Sequence, residues 1–142
     1  MHAAAFDELD PRTAYLLFQL RESVFVLEQT CRYLELDGRD LEPGTRHLWV
    51  EDDGLPVGYL RILRDDEARI GRVLVAKSHR GSGIAKALMQ AALETIGDQP
   101  SVLEAQAYLT GWYSRFGYEQ TGPEYLEDGI PHVSMRRPAG LS

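Results

Sequence analysis

Between Pro11 and Leu27 apolar residues return at Leu16, Leu17, Leu20, Val24 and Leu27, a three-and-four spacing that predicts a helix with one buried face. Asp10 and Pro11 supply an N-cap and a first helical residue. A short strand is expected before it, at Ala4–Glu8. Thr30–Thr45 is polar, contains Asp37-Gly38 and Pro43-Gly44, and reads as a long loop. Three strand-like runs follow, His47–Glu51, Pro56–Leu63 and Arg69–Val75, separated by Asp53-Gly54 and Asp65-Asp66, so an antiparallel meander is expected. From Gly83 to Ile96 two adjoining stripes, Ile84, Leu88, Ala92 and Ala85, Met89, Leu93, Ile96, predict a second helix that Gly97 stops. A strand at Val102–Ala107, a short helix at Thr110–Phe116 ending at Gly117, and strands at Tyr118–Thr121 and His132–Arg137 complete the order βαβββαβαββ. That order is α+β, with an α/β step in which the strands flanking the second helix run parallel.

The 142 residues, 44% hydrophobic and 26% charged, suit one globular domain over 1–142 with a core that needs no disulfide or metal staple. Cys31 is the single cysteine, which excludes an intrachain disulfide and any multi-cysteine metal site; no metal is expected. No apolar run approaches a membrane span, and Met1–Asp7 lacks the basic and long apolar regions of a signal peptide, so a cytoplasmic location is expected. The net charge of −7 argues against nucleic acid or an anionic membrane as partner. Within this acidic chain, Ala68–Leu93 holds Arg69, Arg72, Lys77, Arg80 and Lys86 and no acid, a candidate site for an anionic group such as phosphate.

In the middle of that island Val73-Leu74-Val75 leads through a connection to Arg80-Gly81-Ser82-Gly83-Ile84-Ala85 at the start of the second helix. Strand, glycine loop and helix N-terminus make an anion site, because glycines let backbone N–H groups approach phosphate oxygens and the helix dipole favours the negative charge. A dinucleotide fingerprint needs Gly or Ala where Lys86 stands, and a Walker loop needs Gly where Ala85 stands, so neither nucleotide motif is spelled.

The segment does resemble the acyl-CoA signature of the GNAT acetyltransferase superfamily, Arg/Gln-x-x-Gly-x-Gly/Ala after a strand. The resemblance implies a mixed central sheet splayed between two parallel strands, with helices on both faces. It implies acetyl-CoA as cosubstrate, with the backbone of Val73, Leu74 and Val75 pairing the pantetheine arm. Arg80, Gly81, Ser82, Gly83, Ile84, Ala85 and Lys86 would hold the pyrophosphate. Tyr113-Ser114-Arg115-Phe116-Gly117-Tyr118 is similar to the Tyr-x-x-x-Gly-Phe/Tyr segment whose tyrosine is commonly the general acid, which assigns that role to Tyr113. The likeness narrows to an ElaA-like branch on Arg21, Val24-Phe25-Val26, Glu28-Gln29, Cys31, Asp37-Gly38, Asp40, Gln106-Ala107 and Glu127-Asp128-Gly129-Ile130-Pro131-His132.

Thioester aminolysis needs a carbonyl polariser, a proton for the leaving thiolate and a base for the amine. The N–H of Val75 or its neighbour is expected at the carbonyl and Tyr113 at the sulfur. Glu28 and His132 are the base candidates carried forward, with Glu104 and His47 beside them. Glu28, just past an apolar run, would need a partner, and Arg21 or Arg46 could supply it. These readings converge on an acetyl-CoA-dependent N-acetyltransferase acting on a small primary amine. A homodimer is one expectation, since final strands often dimerise in this fold. The rival is a non-catalytic acyl-CoA sensor. Acyl-homoserine-lactone synthesis ranks last because those chains are longer.

Overall fold

The computed structural model describes residues 1–28 and 35–140, with Leu27 and Glu28 represented by backbone. Strand β1 (His2–Ala4) precedes helix α1 (Pro11–Arg21), and β2 (Arg46–Asp52), β3 (Leu55–Arg64) and β4 (Ala68–Val75) form the expected meander. Helix α2 (Ile84–Ile96), β5 (Ser101–Gln106), α3 (Thr110–Ser114), β6 (Glu119–Gln120), β7 (Tyr125–Glu127) and β8 (Ile130–Arg137) follow. The sheet runs β1-β2-β3-β4-β5-β8-β6 with β7 also on β8, and β4–β5 is its parallel pair.

Local chemistry explains the ends. Asp10 caps α1 by accepting from the Thr13 amide at 2.8 Å, with Pro11 at the first turn. Past Arg21 the helix widens into π turns over Glu22–Glu28 instead of continuing regularly to Leu27. The first strand lies at His2–Ala4, where it pairs with β2, and the residues expected to extend it form a single tight turn at Phe6–Glu8. The pattern also missed β7. Asp128 and Gly129 both take positive φ, 52° and 76°, making a two-residue hairpin turn between Glu127 and Ile130.

Adjacent residues of β2 and β3 fall into different apolar clusters, so the sheet is covered on both faces. Leu48, Leu60 and Ile62 pack with Leu88, Met89, Ala92 and Ile96 of α2; Trp49 and Tyr59 pack with Leu17 of α1 and with Val24 and Phe25. In β4 this alternation breaks. Ile70 lies on the α2 side, yet Leu74, four residues on, lies on the α1 side. The cause is a bulge: Arg61 faces Gly71 and Tyr59 faces Leu74, so three steps along β4 match two along β3. Arg72, at φ 53°, is the residue that absorbs the extra step.

Candidate functional site

The parallel ladder is short. Ala68, Arg69 and Ile70 pair with Ser101, Val102 and Leu103, and beyond the bulge the two strands separate. Two clefts open there. One, of about 410 Å³, is lined by Val24, Leu74, Val75, Arg80, Ala85, Tyr108, Trp112 and the four residues it shares with the other cleft. Those shared residues are Val73, Gln106, Leu109 and Tyr113. The other, of about 560 Å³, lies toward Asp37, Arg72, Glu104, Glu127 and His132. Tyr113 is thus in the wall between a cleft on the strand-and-loop side and a cleft lined by titratable groups.

On the first side, the Ala76 amide donates to the Val57 carbonyl at 2.7 Å. Since pairing alternates along an antiparallel ladder, Val75, opposite Gly58, turns its N–H and C=O away from β3 and toward the splay. The Val75 carbonyl there accepts from Arg80 Nε at 3.1 Å. Gly81 and Gly83 take φ of 81° and 84°, left-handed values that glycine adopts without cost, and Gly83 is the N-cap of α2. The exposed amides of this turn and the dipole of a 13-residue helix fit a phosphate-bearing ligand. Ser82 turns its hydroxyl back onto the His79 carbonyl. Ile84 packs on the sheet and Lys86 is exposed.

The basic island divides. Arg80 lines the cleft, whereas Arg69 pairs with Glu104 at 3.2 Å and Arg72 with Glu35 at 2.9 Å. Two of the five cations expected near an anion are therefore held by carboxylates, because residues along a strand distribute over different neighbours as the sheet bends.

Tyr113 is 7% exposed, its ring 5.0 Å from Trp112 and 6.4 Å from Tyr118. Among the described residues no hydrogen bond engages its hydroxyl, and burial first, then Tyr118 and Tyr108, push its pKa up to about 12. The hydroxyl stays protonated at neutral pH. Tyr118, by contrast, is a core residue hydrogen-bonded to Ser101 at 2.6 Å.

His132, the third residue of β8, lies opposite Gln106 and lines the second cleft. Its Nδ1 lies 2.8 Å from the Ile130 carbonyl, which can only accept, so in the neutral ring the proton sits on Nδ1 and the lone pair on Nε2. Nε2 is 3.9 Å from Glu127. Tyr125 stacks on the ring at 5.9 Å and donates its hydroxyl to Glu104 at 2.7 Å. Burial raises the Glu104 pKa, but donors from Ser134, Tyr125 and Arg69 outweigh it and leave the carboxyl below its usual value. A carboxylate so occupied is a poor base. Tyr125 escaped the sequence reading; the Asp128-Gly129 hairpin signal could have found it.

One candidate changes role. His47 is 1% exposed, lines neither cleft, and lies 2.6 Å from the Tyr59 hydroxyl and 3.2 Å from the Asp40 carbonyl, so it is structural. Arg21 is fully buried and holds Glu35 at 2.6 Å and Asp40 at 2.8 Å. Those carboxylates are its partners among the described residues, and Arg46 donates to the Pro43 carbonyl at 2.9 Å. The side chain of Glu28 lies outside the described residues, as do Gln29 and Cys31. Among the described residues no group of three or more His, Cys, Asp or Glu is placed to hold a metal, and no helix is long and apolar enough to cross a membrane.

The model of the acetyltransferase (GNAT) domain matches residues 21–138, spanning both clefts and the bulge between them. The chain belongs to the GNAT acetyltransferase family. Within it, a UPF0039 protein of Mycobacterium tuberculosis is 47% identical over 137 residues, covering 92% of this chain and 88% of that one. Protein ElaA of Escherichia coli is 42% identical over 140 residues, with 92% and 90% covered, and its crystal structure superposes with a TM-score of 0.91 over 96% of this chain and 97% of that one. An acyl-CoA N-acyltransferase from Pseudomonas aeruginosa is 41% identical with a TM-score of 0.89, over 96% and 97% of the two chains. The ElaA-like branch and the splayed acyltransferase fold are thereby established for this GNAT domain.

Proposed function

We propose that this GNAT domain transfers the acetyl group of acetyl-CoA directly to a small primary amine, with Tyr113 as general acid and His132 as base. The observation that carries the reading is the shared wall: Tyr113, buried and with no hydrogen bond to its hydroxyl among the described residues, borders both clefts. In the narrower cleft the pantetheine arm would run along Val73–Val75, displacing Arg80 from the Val75 carbonyl, and the amides from Gly81 to Ala85 would take the pyrophosphate. The acetyl carbonyl would lie where β4 and β5 part, within reach of the Val75 N–H. The amine would enter from the wider cleft and give its proton to His132 Nε2, while Tyr113 protonates the departing sulfur.

Catalysis is favoured over a sensor role because a sensor has no need of a proton donor between two clefts. The test is an acceptor-panel assay for free thiol released from acetyl-CoA, run beside thermal shift with CoA. CoA should stabilise the protein by about 2.7 kcal/mol at a hundred times its dissociation constant. Gly83→Val should abolish this, since Val suits neither the positive φ nor phosphate approach. CoA stabilisation with no thiol release for any amine would favour the sensor; no response to CoA would remove the cofactor assignment.

A further inference from the structure

The carboxylates of Glu35, Asp37 and Asp40 meet the guanidinium groups of Arg21, Arg61 and Arg72, and the connections follow a pattern. Arg21, at the end of α1, holds Glu35 and Asp40. Arg61, in β3, holds Asp37 at 2.7 Å and Asp40 at 3.3 Å. Arg72 alone reaches from β4. Its Nε is 2.9 Å from Glu35 Oε1, and its Nη2 donates to the Glu35 carbonyl at 3.3 Å and to Asp37 at 3.5 Å. It does so from the bulge itself, at φ 53°, a conformation that disfavours side chains other than glycine. A strained backbone bearing a long side chain that ends on two carboxylates shows that the side chain is needed there, since glycine would fill the same bulge without strain. Asp37, Arg61 and Arg72 all line the wider cleft, and the next residue, Val73, lines both.

We infer that Arg72 is a positioning residue that fixes the wall formed by residues 35–40 against the bulge of β4, so that the acceptor pocket is held in register with the strand that carries the acyl group. The inference rests on the acyl-transfer reading for its functional half. The clamp itself is a property of the fold. Because Glu35 and Asp37 are each shared, with Arg21 and Arg61 respectively, loss of Arg72 leaves the segment attached to α1 and β3 and frees it only from β4. The acceptor side should loosen while the acyl-CoA side stays formed.

The experiment uses Arg72→Gly and Arg72→Gln in the full chain. Glycine relieves the backbone and removes the clamp; glutamine keeps the backbone demand and removes the charge. Both should raise the acceptor KM about tenfold or more while CoA affinity stays within about threefold. Amide exchange over residues 35–40 should quicken in both, with β3 and β5 unchanged. Asp37→Asn, which leaves β4 untouched, should shift the acceptor KM the same way. Wild-type KM in the glycine variant would show that the bulge needs only its backbone and would overturn the inference, as would unchanged exchange at 35–40. A parallel loss of CoA affinity would overturn it too, by placing Arg72 in the service of β4. If the wild type binds CoA and acetylates no amine, the acyl-transfer reading fails, and the exchange measurement still decides whether the clamp exists.

Discussion

Gly58 leaves the space that Ile84 fills: a Cβ on Gly58 would stand 2.5 Å from Ile84 Cγ2 and 3.1 Å from Leu88 Cδ1. The first turn of α2, which carries the glycine loop, therefore seats directly on β3. Gly58→Ala should lift that turn, destabilising by about 1–3 kcal/mol through overpacking and weakening CoA binding as well. Urea unfolding and CoA titration read the two effects. Reduced stability with unchanged CoA affinity would show that the seating of α2 does not set the phosphate loop.

Tyr113→Phe keeps the ring contacts with Trp112 and Tyr118 and removes only the hydroxyl. Turnover should fall by roughly 10²-fold or more with CoA affinity nearly unchanged, because the proton is required as thiolate develops rather than in the bound ground state. Steady-state kinetics beside a CoA titration separates the two. A variant that turns over normally would shift attention to Tyr108, 79% exposed and on the same cleft.

Arg21 has no exposure, and removing it strands the carboxylates of Glu35 and Asp40, at 8% and 4% exposure, without their nearest cation. Arg21→Leu should cost about 3–5 kcal/mol, the penalty for breaking a buried pair from one side. For a chain of this size that is a fall in melting temperature of roughly 10–17 °C. A change of under about 1 kcal/mol by denaturant unfolding would mean that Arg61 and Arg72 satisfy both carboxylates alone.

His47 supplies the pH dependence. Burial, its largest influence, lowers the pKa from the ordinary 6.5, so the folded protein keeps the ring neutral while the unfolded chain would protonate it. Its contribution is present in full above pH 6.5 and is lost as pH falls below that toward the folded value, with a slope of at most about 1.4 kcal/mol per pH unit. His47→Gln, whose amide can still accept from Tyr59 and donate to the Asp40 carbonyl, should flatten stability between pH 7.5 and 5. Unfolding free energies at those two pH values check it, and an unchanged slope would place the titration elsewhere.

Sequence periodicity alone determined the meander, α2 and the parallel crossover around it. Burial on a strand or helix has a fixed repeat, so Leu88, Met89, Ala92 and Ile96 declared their face before any contact was known. The glycine loop was equally legible, since Gly81 and Gly83 are where the chain takes φ values other residues avoid. Tertiary structure decided what periodicity cannot encode. The bulge at Arg72 depends on β4 meeting β3 in a particular register, and it reverses the facing of Leu74 relative to Ile70. The carboxylate partners of Arg21, Arg61, Arg69 and Arg72 come from segments up to 37 residues away in sequence, and long flexible cations have no local signature for which carboxylate they reach. Tyr113 marks the boundary between the two kinds of information: its spacing from the glycine loop suggested a role, and only the separation of β4 from β5 beyond Ile70 and Leu103 sets it between two clefts.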